Sequence, residues 1–320
     1  MNHVFVAPHP DDVALSCGGL IAALRARGDR VAVVTVFSGI GDAGSAVLTD
    51  YQREALGFGR AAELGADRST TTAEWSDAGP GAGVADDIRR VRASEDDAYA
   101  RLLGVRVVRL DLPDAVYRGY EGDDQLFGRV HPADRAPVEP LRHALAGLDH
   151  GRLYAPLGVG GHVDHALCRD AAVSVIGPGP QGQPPDLWLY EDFPYAWRIG
   201  FRGPAGAGDR GRETSGDGGP AEAGDRGRET SGDGGREASD APAFLDAGRT
   251  LRARYVDVTP WLDRKAEGIR AYASQIGRQF DGVGGMVGAL REYHGRVAAE
   301  GGMAGFAERY WVPAEKASDG

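Results

Sequence analysis

The stretch Val31-Ala32-Val33-Val34-Thr35-Val36-Phe37 restricts the fold more than any other part of this chain. It is almost wholly apolar, mostly β-branched and does not alternate with polar residues. Such a run suits a strand buried on both faces, as in a parallel sheet covered by helices. Shorter strands are expected at Val4–Ala7, Val105–Leu110, Leu153–Ala155 and Leu187–Tyr190. Helical patterns lie between them: Leu20 to Arg27, opened by Gly18-Gly19 and closed by Gly28, then about Asp86 to Leu103, Pro137 to Ala146 and His162 to Ile176. Strands alternating with helices imply βαβ units. The expected fold is therefore α/β, a Rossmann-like, mainly parallel sheet with helices on both faces. The strand Tyr255–Val258 and helices from Trp261 to about Phe280 and Val287 to about Ala299 are expected to complete one domain over residues 1–320.

One segment breaks the pattern. The stretch Gly208 to Gly219 (GDRGRETSGDGG) recurs word for word as Gly224 to Gly235. It offers no apolar anchor to offset the entropy of ordering it, so about 201–243 reads as a disordered low-complexity insert. The formal net charge of −11 argues against a nucleic-acid partner, which wants a basic face. Two cysteines, Cys17 and Cys168, make no disulfide framework and read as small core residues. Cys168 has a second reading as a metal ligand, one turn after His165. There is no signal-peptide pattern and no apolar run of membrane-spanning length, so a cytoplasmic protein without a membrane span is expected.

Chemistry concentrates in two clusters, Pro8-His9-Pro10-Asp11-Asp12 and Gly161-His162-Val163-Asp164-His165, which hold three of the eight histidines. Each follows an expected strand. In doubly wound sheets ligands bind beyond the carboxyl ends of the strands, so His9, Asp114 and His162 should share one rim. His9 and Asp12 lie three residues apart at a strand-to-helix turn and can face one point. Asp11 then points elsewhere or sits just outside a metal shell. His162 and His165 share a helix face by their i, i+3 spacing. Imidazoles and carboxylates converging from separate segments suit a divalent cation. The plainer readings are that Asp11 or Asp12 caps a helix and that Asp164 is a favourable first-turn acid.

The two clusters together resemble the signature pair of the PIG-L/LmbE-like zinc-dependent N-acetylglucosamine deacetylases. Arg92-Ala93-Ser94-Glu95-Asp96, Leu112-Pro113-Asp114, Tyr190-Glu191-Asp192-Phe193-Pro194-Tyr195 and Lys265 through Ser274-Gln275 are similar to segments of bacterial members. The resemblance implies Zn2+ held by His9, Asp12 and His165, with a position left for water; these ligands also suit Fe2+ or Co2+. It implies Asp11 as the general base, and His162 as a protonated oxyanion stabiliser that passes a proton to the leaving amine. Asp164 would orient or charge His162, or else support a ligand from behind. Arg92 and Asp114 would bind substrate, with Arg53 a rival to Arg92. Arg92 has a second reading as an ion-pair partner of Glu95 or Asp96. The Tyr190–Tyr195 segment would wall a sugar ring or pack in the core. One departure is Val13, where many members carry Glu after the paired aspartates.

The reading is a hydrolase that removes an acyl group, foremost acetyl, from the amine of an N-acetylglucosamine-like substrate. An amidase of a larger conjugate and a non-catalytic metal- or sugar-binding protein are the alternatives. A nucleotide-binding protein is disfavoured, because Pro and two acids stand where a phosphate loop needs Gly and donors.

Overall fold

The structure is a computed structural model, and it describes residues 1–40, 84–136, 138–148, 151–176, 186–204 and 251–314. Arg53 and nearly all of the expected insert lie outside the described residues. The strands are β1 (Asn2–Ala7), β2 (Arg30–Thr35), β3 (Arg106–Arg109), β4 (Arg152–Pro156), β5 (Leu187–Tyr190), β6 (Leu251–Asp257) and β7 (Ala307–Pro313). The helices are α1 (Asp12–Ala26), α2 (Val84–Leu103), α3 (Asp123–Leu126), α4 (Val138–Ala146), α5 (Val163–Val175), α6 (Tyr195–Arg198), α7 (Leu262–Ile269), α8 (Ala273–Gln279) and α9 (Gly282–Glu300).

One sheet of order β3-β2-β1-β4-β5-β7-β6 organises the described residues. β1 pairs in parallel with β2 and β4, β2 with β3, and β4 with β5. β7 joins β5 and β6 antiparallel. From β1 the chain winds through α1 to β2 on one side, and from β4 through α5 to β5 on the other. Right-handed crossovers in opposite directions place α1 and α5 on opposite faces. α1 packs on α7 and α2, and α4 packs on α5. The expected α/β sheet is found, and the order reverses between β1 and β4, the position where such sheets bind ligands. Among the described residues no helix is long and apolar enough to cross a membrane.

Three departures from the sequence expectation have physical causes. First, Gly18-Gly19 does not open a helix; α1 starts at Asp12 and runs straight through it. The glycines are there for contact. Lys265 is almost wholly buried; its Nζ donates to Ser16 O at 3.1 Å and to Glu308 Oε1 at 2.8 Å. Glu308 in turn accepts from the backbone N–H of Gly19 and Leu20 at 2.9 and 3.0 Å. A Cβ on Gly19 would stand 2.7 Å from Val258 Cβ and 2.9 Å from Glu308 Oε1. Second, β7 was not expected, because Glu308-Arg309 in its middle reads as surface. Both are buried and paired, Glu308 with Lys265 and Arg309 with Glu191 at 2.5 Å. Third, the stretch expected as helical from Trp261 to Phe280 breaks between α7 and α8. Acids of α2 pull on the break: Tyr272 donates to Asp96 at 2.8 Å, and the Ser274 N–H and hydroxyl donate to Glu95 at 2.8 Å each.

Gly19→Ala should therefore destabilise the fold by about 1–3 kcal/mol through overpacking. Gly288→Ala, at an exposed α9 position where an added Cβ meets nothing within 4 Å, should be neutral or stabilise by up to about 1 kcal/mol. Chemical denaturation of both variants checks this; equal effects would contradict it.

Candidate metal centre

β1 ends at Ala7, and the next five residues turn into α1. Asp11 occupies that turn with φ 93°, a conformation that L residues rarely adopt. The turn folds His9 and Asp12 together: the His9 N–H donates to Asp12 Oδ2 at 2.7 Å, and His9 Nδ1 stands 3.3 Å from the same oxygen. From the end of β4, Gly158, Gly160 and Gly161, all at positive φ, carry the chain to His162, which caps α5. His165, one turn further, places Nε2 3.4 Å from Asp12 Oδ2. The His9 and His165 ring centroids are 5.5 Å apart. The two sequence clusters thus meet, and their histidines and aspartates are buried.

Two groups of residues among those described could hold a metal ion: His9, Asp12 and His165, or His9, His162 and Asp164. The geometry separates them. Tetrahedral coordination with bonds near 2.0–2.1 Å has ligand–ligand edges of about 3.3 Å. The first group shows that spacing on both sides of Asp12 Oδ2, at 3.3 and 3.4 Å. His165 Nε2 is moreover a buried nitrogen without a hydrogen-bond partner, aimed at the group. In the second group, His9 Nε2 sits 2.9 Å from Asp164 Oδ2, an ordinary hydrogen bond. The first group therefore fits a divalent cation and the second acts as its support. Cys168 is fully buried and belongs to neither group.

The supports fix which nitrogen of each imidazole faces the centre. His165 Nδ1 lies 2.6 Å from Asp192 Oδ1, and a carboxylate there takes the ring proton, leaving the Nε2 lone pair inward. Asp192 is itself anchored by the Gly158 and Val159 N–H groups, each at 2.7 Å. On the other side Asp164 accepts hydrogen bonds from the His9 Nε2–H and, at 3.1 Å, the Ala115 N–H, and pairs with Arg118 at 2.5 Å. Asp164 thus supports His9 by a hydrogen bond, while its charge also acts on the nearby His162 ring. His162 Nδ1 instead accepts the Asp164 backbone N–H at 3.2 Å, so its proton resides on Nε2. Sequence reasoning gave no role to Asp192 or Arg118. Asp192 lies within a quoted segment; Arg118 belongs to none.

Charges follow this arrangement. Burial pushes the Asp11 carboxyl well above its ordinary value, and the neighbouring Asp12 pushes it further, against Arg92 and His9. Burial also works against ionisation of Asp12, yet the charges of His165 and His9 prevail and hold it at about 2. Burial disfavours charge on His9, but Asp114, Asp12 and Asp164 outweigh it and raise the ring to about 10. His165 is raised likewise by Asp12 and Asp192. Burial, together with the charge of His9, holds His162 well below its ordinary value. A protonated His162 is therefore not what these surroundings favour. A cluster that draws protons onto His9 and His165 is one in which a cation replaces them.

The centre opens into a pocket lined by Asp11, Arg92, Asp114, Phe127, His162 and Tyr195, with Gln275, Arg278 and Gln279 from the far side. Gln279 Nε2 donates to Asp11 Oδ2 at 3.0 Å. Arg92 faces Asp114 at 3.8 Å; Glu95 and Asp96 are engaged elsewhere and do not hold it. Asp114 Oδ2 lies 3.6 Å from His9 Nε2. Of the Tyr190–Tyr195 segment only Tyr195 reaches the pocket, edge-on to His165 with centroids at 5.7 Å. Tyr190 is a core residue bonded to Val6 O, and Phe193 packs on Tyr293 and Phe280.

Residues 4–176 match the family described as GlcNAc-PI de-N-acetylase, PIG-L. The chain is 34% identical over 199 residues to 2'-N-acetylparomamine deacetylase of Streptomyces fradiae, covering 60% of this chain and 57% of that protein. It is 30% identical over 195 residues to 1D-myo-inositol 2-acetamido-2-deoxy-alpha-D-glucopyranoside deacetylase of Corynebacterium glutamicum (strain R), covering 59% of this chain and 56% of that one. The chain thus spans less than two thirds of the length of these curated relatives. The deacetylase of teicoplanin biosynthesis, solved as its bog complex, superposes with a TM-score of 0.63 at 20% identity, over 99% of this chain and 100% of that one. That last likeness is one of fold.

Asp192→Asn turns an amide N–H toward His165 Nδ1 and forces the ring proton onto Nε2. Metal affinity should fall by about tenfold to a hundredfold, measured by competition with a chelator; unchanged affinity would refute the support role. Asp11→Gly relieves the positive-φ backbone and should raise stability by about 1 kcal/mol in thermal unfolding.

Proposed function

Because the chain belongs to the PIG-L family, we propose that it is a metal-dependent hydrolase that removes an acetyl group from the amine of an N-acetylated amino sugar. The observation that carries the reading is the pairing of a three-ligand centre with a buried carboxylate, Asp11, that stands beside the ligands without joining them. His9, Asp12 and His165 would hold the cation, zinc foremost, with Fe2+ and Co2+ as chemically suitable substitutes. Such a cation, when bound, lowers the pKa of water and polarises an amide carbonyl.

The chain's own residues supply the rest. Asp11 takes the proton of the attacking water. Burial and the neighbouring Asp12 raise its proton affinity, as a group that takes a proton needs, and Gln279 and the strained turn hold it in place. His162, neutral and with its proton on Nε2, donates a hydrogen bond to the oxygen on which charge develops. The proton on Asp11 is then available to the departing amine. Arg92 and Asp114 meet sugar hydroxyls, and Phe127 with Tyr195 offers aromatic edges to the sugar. The activities of the relatives, on acetylparomamine and on an inositol-linked acetamido sugar, support the substrate class. No observation favours the larger-amide or the non-catalytic reading, and a base placed for chemistry speaks against the second.

Acetate release from N-acetylglucosaminyl compounds by metal-loaded protein tests the proposal. Asp11→Asn should leave metal content and melting temperature near those of the parent while kcat falls by about a hundredfold or more. Full activity in that variant would remove Asp11 from the mechanism. A parent protein that binds metal yet releases no acetate from any acylated amino sugar would defeat the proposal.

A further inference from the structure

We infer that Arg118 is a positioning residue for the metal centre: it holds Asp164, which aims the Nδ1 of His9 at Asp12 and His165. This rests on the metal-centre reading above but extends it to a residue outside both sequence clusters. The side chain of Asp164 is wholly buried and has three partners. Oδ2 meets His9 Nε2 at 2.9 Å and the Ala115 N–H at 3.1 Å, and Oδ1 meets Arg118 Nη2 at 2.5 Å. A buried carboxylate without a cation beside it is strongly unfavourable, and Arg118 supplies that cation.

Arg118 is itself gripped from three directions. Asp134 takes its Nε and Nη2 in a fork at 2.8 and 2.9 Å. Pro113 O accepts from Nη1 at 2.5 Å. The Phe37 ring lies under its Cζ, at 4.6 Å from the centroid. A planar guanidinium so fixed has one orientation, which a flexible ammonium would lack. The line His9–Asp164–Arg118–Asp134 therefore ties a ligand to the loop between α3 and α4. Through Pro113 O the same guanidinium holds the turn that presents Asp114 to the pocket. His165 has Asp192 and two backbone N–H groups for this purpose; on the His9 side the work falls to Arg118.

The test is metal binding itself, read by chelator competition and by the visible absorption of the Co2+-loaded protein. Arg118→Met should weaken metal binding by about tenfold or more and shift the Co2+ spectrum. Arg118→Lys should recover part of the affinity, since it restores charge without the fork. Asp134→Asn, which touches neither ligand nor Asp164, should produce a smaller loss in the same direction and serves if Arg118→Met does not fold. Folded variants with parental affinity and parental Co2+ spectrum overturn the inference, even if their melting temperatures drop. A parent protein that binds no divalent metal defeats the metal-centre reading and this inference together. Metal binding without acetate release would strike only the proposed reaction.

Discussion

Five aspartates and three histidines buried at one sheet end impose the condition that the rest of the molecule meets: Asp11, Asp12, Asp114, Asp164 and Asp192 with His9, His162 and His165. Charge removed from water is tolerated only where partners replace the lost solvation. Each carboxylate here has its own supply. Asp12 has two imidazoles and a backbone N–H, Asp164 has His9, Ala115 and Arg118, and Asp192 has His165 and two turn amides. Asp11 is the least well served, with Gln279 as its hydrogen-bond donor and Asp12 as its neighbour. That inequality separates the roles. In the proposed reaction the well-supplied carboxylates serve as ligands or supports, whereas Asp11, whose carboxyl burial holds well above its ordinary value, takes the proton.

The sheet makes this concentration of charge affordable by where it divides. At the reversal between β1 and β4 the two crossovers leave in opposite directions, so neither covers the strand ends. The segments after β1 and after β4 emerge side by side there. Their register, with Phe5 opposite Tyr154, sets two turns facing each other across one strand spacing. The antiparallel addition of β7 and β6 extends the sheet beyond β5 and brings Glu308 to the middle of α1. Chemistry and scaffold therefore meet on one helix, whose first turn carries Asp12 and whose centre is held by the Lys265–Glu308 pair.

How much of this the sequence disclosed depended on whether a signal was local. The inner parallel strands β1, β4 and β5 were legible because burial on both faces leaves an apolar run, whereas the edge strand β3 is partly exposed and carries two arginines. The ligand clusters were legible because their spacing within a turn is short. What escaped depends on distant partners. Gly18-Gly19 looks like punctuation until Val258 and Glu308 are seen pressing on it. The Glu308-Arg309 pair looks exposed until Lys265 and Glu191 arrive. Asp192 and Arg118 carry no signature of their own, since a carboxylate behind a histidine is defined only by the fold. The charge of His162 was equally hidden, since an imidazole's proton affinity is set by its surroundings, and here burial and the charge of His9 lower it.

The bond between Glu308 and the amide of Gly19 joins residues 289 positions apart. A ribosome making this chain delivers the first helix long before the strand that carries residue 308. Until then Lys265 lacks Glu308, the carboxylate it pairs with at 2.8 Å, and α1 lacks the brace that holds its centre. His9 and Asp12 are synthesised well before the strand that braces the centre of their helix. A chain stalled or cleaved before β7 would carry both motifs without the carboxylate that braces the middle of α1.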